Sequence, residues 1–267
     1  MADRYAVIGH PVAHSKSPWI HAEFARQAHQ DLEYACIEAP LDGFARAVDE
    51  FRAADGRGSN VTLPFKGQAF DYCRGAVSPR GLAAQAVNTL IFEGGAVRGD
   101  NTDGVGLLRD LTVNLGRAIA GRRVLLTGAG GAAQGVLAPL IEARPRRLVV
   151  ANRTADKARA LARRYGASAG GGYDEFRGEQ FDLVINATSA GLAGAAPPLA
   201  AAAFAPGALG YDMVYGRDTP FLALARAAGA AAHDGSGMLV EQAAESFLLW
   251  RGLRPDTAPV LAALRRR

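Results

Sequence analysis

The chain has 267 residues, 49% of them hydrophobic and 21% charged, with a formal net charge of +4. That is the composition of a globular chain with ample material for a core, in one large domain or two. The arginines are scattered, with short clusters such as Arg144/Arg146/Arg147, Arg163/Arg164 and Arg265 to Arg267; no basic stripe interleaves with aromatics, which argues against nucleic acid and for small anions such as phosphates and carboxylates.

Strand and helix alternate over the first hundred residues. "YAVIGHP" (5 to 11) is a short apolar run closed by Gly and Pro, as a buried strand would be. The segment 18 to 29 has helical spacing, with Ser17 as the expected N-cap and Pro18 at the first helical position. A second strand (33 to 39), a helix (41 to 54) and a third strand, "SNVTLP", come next. That strand stops at Pro64 and turns into a helix at Lys66. Residues 87 to 101, "VNTLIFEGGAVRGDN", read as two short strands around a Gly-Gly turn. A mostly parallel sheet with an antiparallel element is the expected result.

After a helix at 104 to 116 a second α/β rhythm begins. "RRVLLTGAGGAAQG" is strand, glycine turn and helix, and further strands are expected at 147 to 153, 181 to 189 and 208 to 215. Helices at 155 to 165 and 219 to 228 intervene, and the Gly-, Ala- and Pro-rich stretches at 167 to 180 and 190 to 207 read as loops. "MLVEQAAESFLLWRG" is an amphipathic helix expected to pack back on the first domain. No stretch has the length of a membrane span, and the apolar run at the start is too short for a signal peptide. Cys36 and Cys73 have no metal-type spacing and read as free thiols, so a cytoplasmic protein is expected.

"VLLTGAGGAAQG" has the G-x-G-x-x-A form at Gly128, Gly130 and Ala133, in the strand–turn–helix setting that lets backbone amides approach a pyrophosphate. Alone the pattern is weak. About twenty residues on, an NAD site would carry an acidic residue for the ribose hydroxyl, but "VVANRT" supplies Asn152, Arg153 and Thr154, with Lys157 one turn later. A guanidinium there suits the 2′-phosphate of NADP. Five of the six asparagines, Asn60, Asn88, Asn101, Asn152 and Asn186, fall at expected strand ends, where open α/β sheets bind ligands. Only three basic residues are lysines, Lys16, Lys66 and Lys157, and Lys66 stands at such a strand end. His10, His14 and His21 lack accompanying Cys or paired carboxylates, so no metal is expected.

The ordered series "GHPVAHSKSP", "NVTLPFK", "AVNTL", "GDNTDGVG", "GAGGAA", "NRT", "INATSAG", "YDMVY" and "GMLVEQAA" resembles the shikimate dehydrogenase family over nearly the whole chain. The resemblance implies two doubly wound α/β domains. One is a substrate domain with a mixed sheet, from residues 1 to 103 completed by 238 to 267; the other is a Rossmann-type NADP domain from 104 to 237. It further implies reversible, NADP-dependent reduction of 3-dehydroshikimate to shikimate. Carboxylate-binding serines would be Ser15 and Ser17, and hydroxyl-binding groups Thr62, Asn88, Asp103 and Gln242, with Tyr215 on the substrate side. Lys66 would be catalytic together with Asp103. The cofactor would contact Gly128, Ala129, Gly130, Gly131, Ala132, Asn152, Arg153, Thr154 and Lys157, with Met213 and Gly237 beside the nicotinamide. The segment between Lys66 and Asn88 departs from the family in detail and is given no ligand. A quinate/shikimate dehydrogenase using NAD or NADP, or a non-catalytic nucleotide-binding paralogue, stands as the alternative. Oligomeric state is left open, a homodimer included.

Overall fold

The apolar run from Tyr5 to Ile8 forms the buried centre of β1 (Asp3–Gly9), which has strand neighbours on both sides. The computed structural model describes residues 2–267, which fall into two units, one running to Gly106 and including Val240–Arg267, the other Leu107–Leu239. In the first unit the sheet order is β2 (Leu32–Glu38), β1, β3 (Gly56–Val61), β4 (Thr89–Glu93) and β5 (Ala96–Asp100). β1 runs parallel to β2 and β3, whereas β4 is antiparallel to both β3 and β5. The sheet is therefore mixed, as the sequence implies. Gly94 and Gly95 both take positive φ, 58° and 80°, in the hairpin turn, a conformation in which a side chain would be strained.

Register decides where polar groups collect. Val7 lies opposite Asn60, Asn60 opposite Thr89, and Thr89 opposite Asp100, so one row across four strands turns polar on passing from β1 to β3. Helices α1 (Ser17–Gln27), α2 (Phe44–Ala53), α3 (Lys66–Tyr72) and α4 (Pro79–Ala84) connect the strands, and α5 (Asp103–Arg109) leaves the sheet after β5. Ile8, Phe44, Val48, Val61, Phe65, Val87 and Leu90 form a core on one side.

The second unit contains β6 (Arg123–Thr127), α6 (Gly131–Glu142), β7 (Arg147–Ala151), α7 (Ala155–Tyr165), β8 (Ala169–Gly171), β9 (Phe181–Asn186), β10 (Phe204–Asp212), α8 (Pro220–Ala227) and β11 (Ala231–His233). Its sheet is parallel throughout, in the order β11-β10-β9-β6-β7-β8. Numbered within the unit this is the doubly wound dinucleotide-binding order, whose direction of winding reverses beside β6. α9 (Ser236–Arg251) and α10 (Thr257–Leu264) complete the chain. Among the described residues no helix is long and apolar enough to cross a membrane.

Four local differences have physical causes. Lys16, in a helical conformation, occupies the N-cap position of α1 rather than Ser17, and the Ser15 hydroxyl accepts the Ser17 N–H at 3.2 Å. The helix expected over 104 to 116 is α5 continued by a π turn at Asp110–Asn114. There the Asp110 carboxylate is buried and accepts the Tyr211 hydroxyl at 2.6 Å, which the wider turn accommodates. β8 lies inside the stretch read as a glycine-rich loop, its Ala-Gly-Gly sequence carrying no apolar signal. β10 starts at Phe204, four residues early, where Phe204 pairs with Phe181 before a register shift.

His21 occupies an aromatic cage of α1, β2 and α9. Its ring stacks on Tyr34 at 4.3 Å and lies near Trp250, Phe24 and Phe247. It is fully buried, neither ring nitrogen has a partner at hydrogen-bonding geometry among the described residues, and burial pushes its ionisation down to about 3 from 6.5 against a smaller opposing contribution from Asn60. The unfolded chain therefore takes up this proton first. The group's contribution is complete above about pH 6.5 and is lost as pH falls toward 3, at about 1.4 kcal/mol per unit. Urea unfolding at pH 7, 6 and 5 should show His21→Phe losing stability less steeply than the parent chain. Parallel slopes would place the imidazole in water.

Candidate functional site

Asn88 stands one residue before β4 and is 2% exposed. Its backbone N–H donates to Asp100 O at 3.0 Å and its carbonyl accepts from Val61 N at 2.8 Å, fixing it between β3 and β5. The side chain then binds the segment that leaves β5. Oδ1 accepts Thr102 N–H at 2.9 Å and the Thr89 hydroxyl at 2.9 Å; Nδ2 donates to Asp103 Oδ1 at 2.9 Å and to Thr102 Oγ1 at 3.0 Å. Gln242 of α9 accepts at 3.4 Å from both Asn88 Nδ2 and Thr102 Oγ1. Asn60 supports the cluster from β3, donating to Asn88 O, Thr89 Oγ1 and Ser246 Oγ while accepting the Tyr34 hydroxyl at 2.7 Å.

Lys66 opens α3. The preceding turn is anchored by the buried Phe65, which stacks on Phe44 at 5.3 Å, and Lys66 O accepts Val87 N–H at 2.9 Å. With its backbone so held, Lys66 Nζ donates to Asp103 Oδ2 at 2.6 Å. The lysine side chain is 26% exposed and the aspartate 10%. An ammonium carries three N–H donors, so two remain for a ligand beside a carboxylate that orients the third. Asp103, at the start of α5, has one oxygen on Lys66 and the other on Asn88.

The first unit thus brings Lys66, Asn88, Asp103 and Gln242 into one hydrogen-bonded group. Thr62 lies just past β3, its N–H on Ile8 O and its carbonyl on Phe65 N. Ser15 lies in the loop entering α1 and Ser17 is the first residue of that helix, Ser17 buried and Ser15 partly open. Tyr215 belongs to the second unit, in the loop after β10, where burial raises its phenol. Thr102 is not among the residues the motifs single out, although it stands inside "GDNTDG" between Asn101 and Asp103. Tyr34 and Ser246 carry no signal, because a strand tyrosine and a helical serine are ordinary core-edge residues.

In the second unit β6 ends at a turn in which Gly128 takes φ +101°, and its N–H donates to Ala151 O at 2.8 Å. A Cβ there would be strained and would come 3.0 Å from Ala187 O. Gly130 is the N-cap of α6 and offers no side chain to its first amides; Gly130, Gly131 and Ala132 are exposed and Ala129 half-buried. An uncapped helix N-terminus of this kind suits an anion. Asn152 stands just past β7, with its N–H on Gly171 O and Nδ2 on Thr154 O, both at 3.0 Å. Arg153, Thr154 and Lys157 lie at the start of α7, Arg153 and Lys157 exposed. Burial raises the Tyr173 phenol to about 12, against opposing contributions from Thr127 and the Arg153 charge. Met213 is half-buried after β10, and Gly237 lies in the first turn of α9 against the Asp110 carboxylate. Among the described residues no group of three or more His, Cys, Asp or Glu is placed to hold a metal.

Three family models match the chain in succession. They are a shikimate dehydrogenase substrate binding domain over residues 7–90, a shikimate/quinate 5-dehydrogenase over 111–193, and a shikimate 5′-dehydrogenase C-terminal domain over 235–265. The chain is 57% identical over 270 residues to the shikimate dehydrogenase (NADP(+)) of Dechloromonas aromatica, covering 99% of this chain and 98% of that protein. Among solved structures it is similar to an Ael1 enzyme from Pseudomonas putida, at 49% identity, TM-score 0.94 and 98% of each chain. It is also similar to the shikimate 5-dehydrogenase of Thermus thermophilus in complex with NADP(H) and shikimate, at 38% identity, TM-score 0.90 and 99% of each chain.

Asn88→Ala tests the hub. It strands Thr102 N–H and one Asp103 oxygen in a buried setting, and each unpaired group costs roughly 1–3 kcal/mol. The midpoint of urea unfolding should fall accordingly, with the m-value unchanged. An unaltered midpoint would show the cluster rebuilding itself without the amide.

Proposed function

The chain belongs to the shikimate dehydrogenase family, and from that premise we propose how its own residues carry the family's reaction. The activity is the NADP-dependent, reversible reduction of 3-dehydroshikimate to shikimate. The observation that carries the assignment of roles is the Lys66–Asp103 pair at 2.6 Å, with two ammonium N–H groups uncommitted among the described residues. NADPH, when bound, supplies the hydride to the substrate carbonyl carbon. The fit to such a cofactor rests on the uncapped α6 N-terminus for the pyrophosphate and on Arg153 for the 2′-phosphate, its guanidinium in no ion pair among the described residues. Met213 and Gly237 lie beside the nicotinamide in this reading, and Ala129 to Ala132, Asn152, Thr154 and Lys157 complete the nucleotide contacts.

In the first unit Ser15 and Ser17 hold the substrate carboxylate. Thr62, Asn88, Asp103 and Gln242 take its hydroxyls, and Tyr215 is the substrate-side tyrosine of this reading. Lys66 places an N–H against the carbonyl oxygen. As that carbonyl gains the hydride its oxygen becomes an alkoxide, which the ammonium stabilises and then protonates. In the oxidative direction the neutral amine takes the proton back. Asp103 keeps the amine aimed throughout. The free cysteines fit a reducing cytoplasm as the site of action.

Lys66→Ala should lower kcat by roughly 10²–10⁴-fold, with KM for shikimate little changed, because the ammonium acts most on charge that develops in the transition state. Lys66→Arg should recover little, since a guanidinium keeps the charge but holds its proton. Steady-state assay of shikimate oxidation decides it; near-normal turnover in the arginine variant would reduce the role to fixed charge. For the cofactor, Arg153→Ala should weaken NADP about ten- to a hundredfold relative to NAD. Equal weakening of both, measured by calorimetry, would remove Arg153 from the phosphate.

A further inference from the structure

Arg80 lies in the segment between Lys66 and Asn88 for which the motifs offer no role. It stands in the first turn of α4, and its guanidinium spans two carboxylates. Nε and Nη2 bind Asp100 Oδ1 and Oδ2 at 3.1 and 2.7 Å, while Nη1 binds Glu245 Oε1 at 2.7 Å. Both acids are nearly buried, with side chains 7% and 10% exposed, and the other Glu245 oxygen takes Arg254. Burial alone would raise the Asp100 carboxyl, but hydrogen bonds from Arg80 and Ser78 bring it below its usual value.

Each of these acids is one step from the site. Asp100 ends β5, and its Oδ1 accepts Asn101 N–H at 2.7 Å and the Ser78 hydroxyl at 2.6 Å. Asn101 Oδ1 in turn accepts Asp103 N–H at 3.0 Å, and its Nδ2 donates to Ala86 O at 3.0 Å. With Thr102 N–H on Asn88, the amides of residues 101, 102 and 103 are all tied to side-chain oxygens. Glu245 lies three residues along α9 from Gln242, on the same helix face. We propose that Arg80 is a positioning residue for the reaction: by bridging Asp100 and Glu245 it fixes the loop that presents Asp103 to Lys66 and the helix turn that presents Gln242. The proposal rests on the roles given to Asp103 and Gln242 above.

A forked guanidinium reaches both acids at once, and an ammonium cannot reproduce that geometry. Without it, Asp100 keeps Ser78 and Asn101 and Glu245 keeps Arg254, so the carboxylates retain partners while the link between loop and helix is lost. The test compares Arg80→Ala, Arg80→Lys and Asp103→Asn in the full-length chain. Arg80→Ala should lower kcat for shikimate oxidation about tenfold or more and raise KM for shikimate, while calorimetric NADP affinity stays within about twofold. Guanidinium at tens of millimolar, against a matched sodium chloride control, should restore several-fold of the lost kcat. Arg80→Lys should stay close to Arg80→Ala. In the double variant, Arg80→Ala should add little to Asp103→Asn, as expected of groups acting in series. Normal kcat and KM in Arg80→Ala, beside an inactive Asp103→Asn, would overturn the proposal alone; an active Asp103→Asn would overturn the role of Asp103 itself. A loss of shikimate turnover and NADP affinity together, with no guanidinium rescue, would make Arg80 a structural residue only. Should Arg80→Ala fail to fold, Glu245→Gln carries the same expectation for shikimate KM, and an unchanged KM there counts against the link.

Discussion

The first unit is organised around one buried carboxamide. Asn88 is small enough to sit between the ends of β3 and β5, yet it has both a donor and an acceptor group, and the structure uses each more than once. Its oxygen collects Thr89 and Thr102; its nitrogen reaches Thr102, Asp103 and Gln242. Aspartate would offer no donor and leucine neither donor nor acceptor. In a setting where water cannot substitute, these demands fix the side chain's orientation, and with it the direction in which Asp103 points. The Lys66–Asp103 pair inherits its geometry from this amide.

The second unit solves a similar problem with the same residue type. Asn186 ends β9, fully buried, and its Oδ1 accepts the hydroxyls of Thr127 and Thr188 at 2.9 and 2.8 Å. Its Nδ2 donates to Asp212 at 3.2 Å, and Asp212 holds Val214 N–H at 3.0 Å and the Thr219 hydroxyl at 2.5 Å. Burial raises the Asp212 carboxyl, with Thr219, Val214 and Asn186 pulling against it. At the carboxyl ends of parallel strands the backbone carbonyls and amides run out of ladder partners while remaining covered. A short amide side chain can bond across the gap in either sense, which is why a poor strand former recurs there.

The strand-end asparagines are legible in the sequence because they break apolar runs; what they bond to is not. Asn60 and Asn101 look like ligand-facing groups in the sequence, yet both are buried supports, bonded to Ser246 and Tyr34 or to Ala86 and Asp103. The hairpin and the parallel strands come from glycine pairs and apolar periodicity, signals carried by adjacent residues. Short elements such as β8, β11 and α4 escape such a reading because three to six residues give too little periodicity to count. The α1 cap shifts by one residue from its expected place, since a serine pair around Lys16 allows either hydroxyl to serve the first turn. Arg80 is invisible for a different reason: its partners are 20 and 165 residues away, and nothing local distinguishes it from a solvated helix-face arginine.

The arginine-rich character of the chain sharpens the question of why position 66 is a lysine. Arginine makes the ion pairs with Asp182, Glu179, Asp218 and Asp100, where a fixed charge and a planar fork serve. Neither Lys16 nor Lys157 has an ion-pair partner among the described residues, so Lys66 stands apart from both groups. Proton chemistry accounts for the choice. Asn88 holds one Asp103 oxygen and a single ammonium N–H takes the other. A lysine held by one hydrogen bond keeps two donors free and can release a proton; a guanidinium seated on the same oxygen would turn most of its donors elsewhere and release none. Asn88 therefore determines where Asp103 points, and Asp103 in turn aims the one cation of the site that can release a proton.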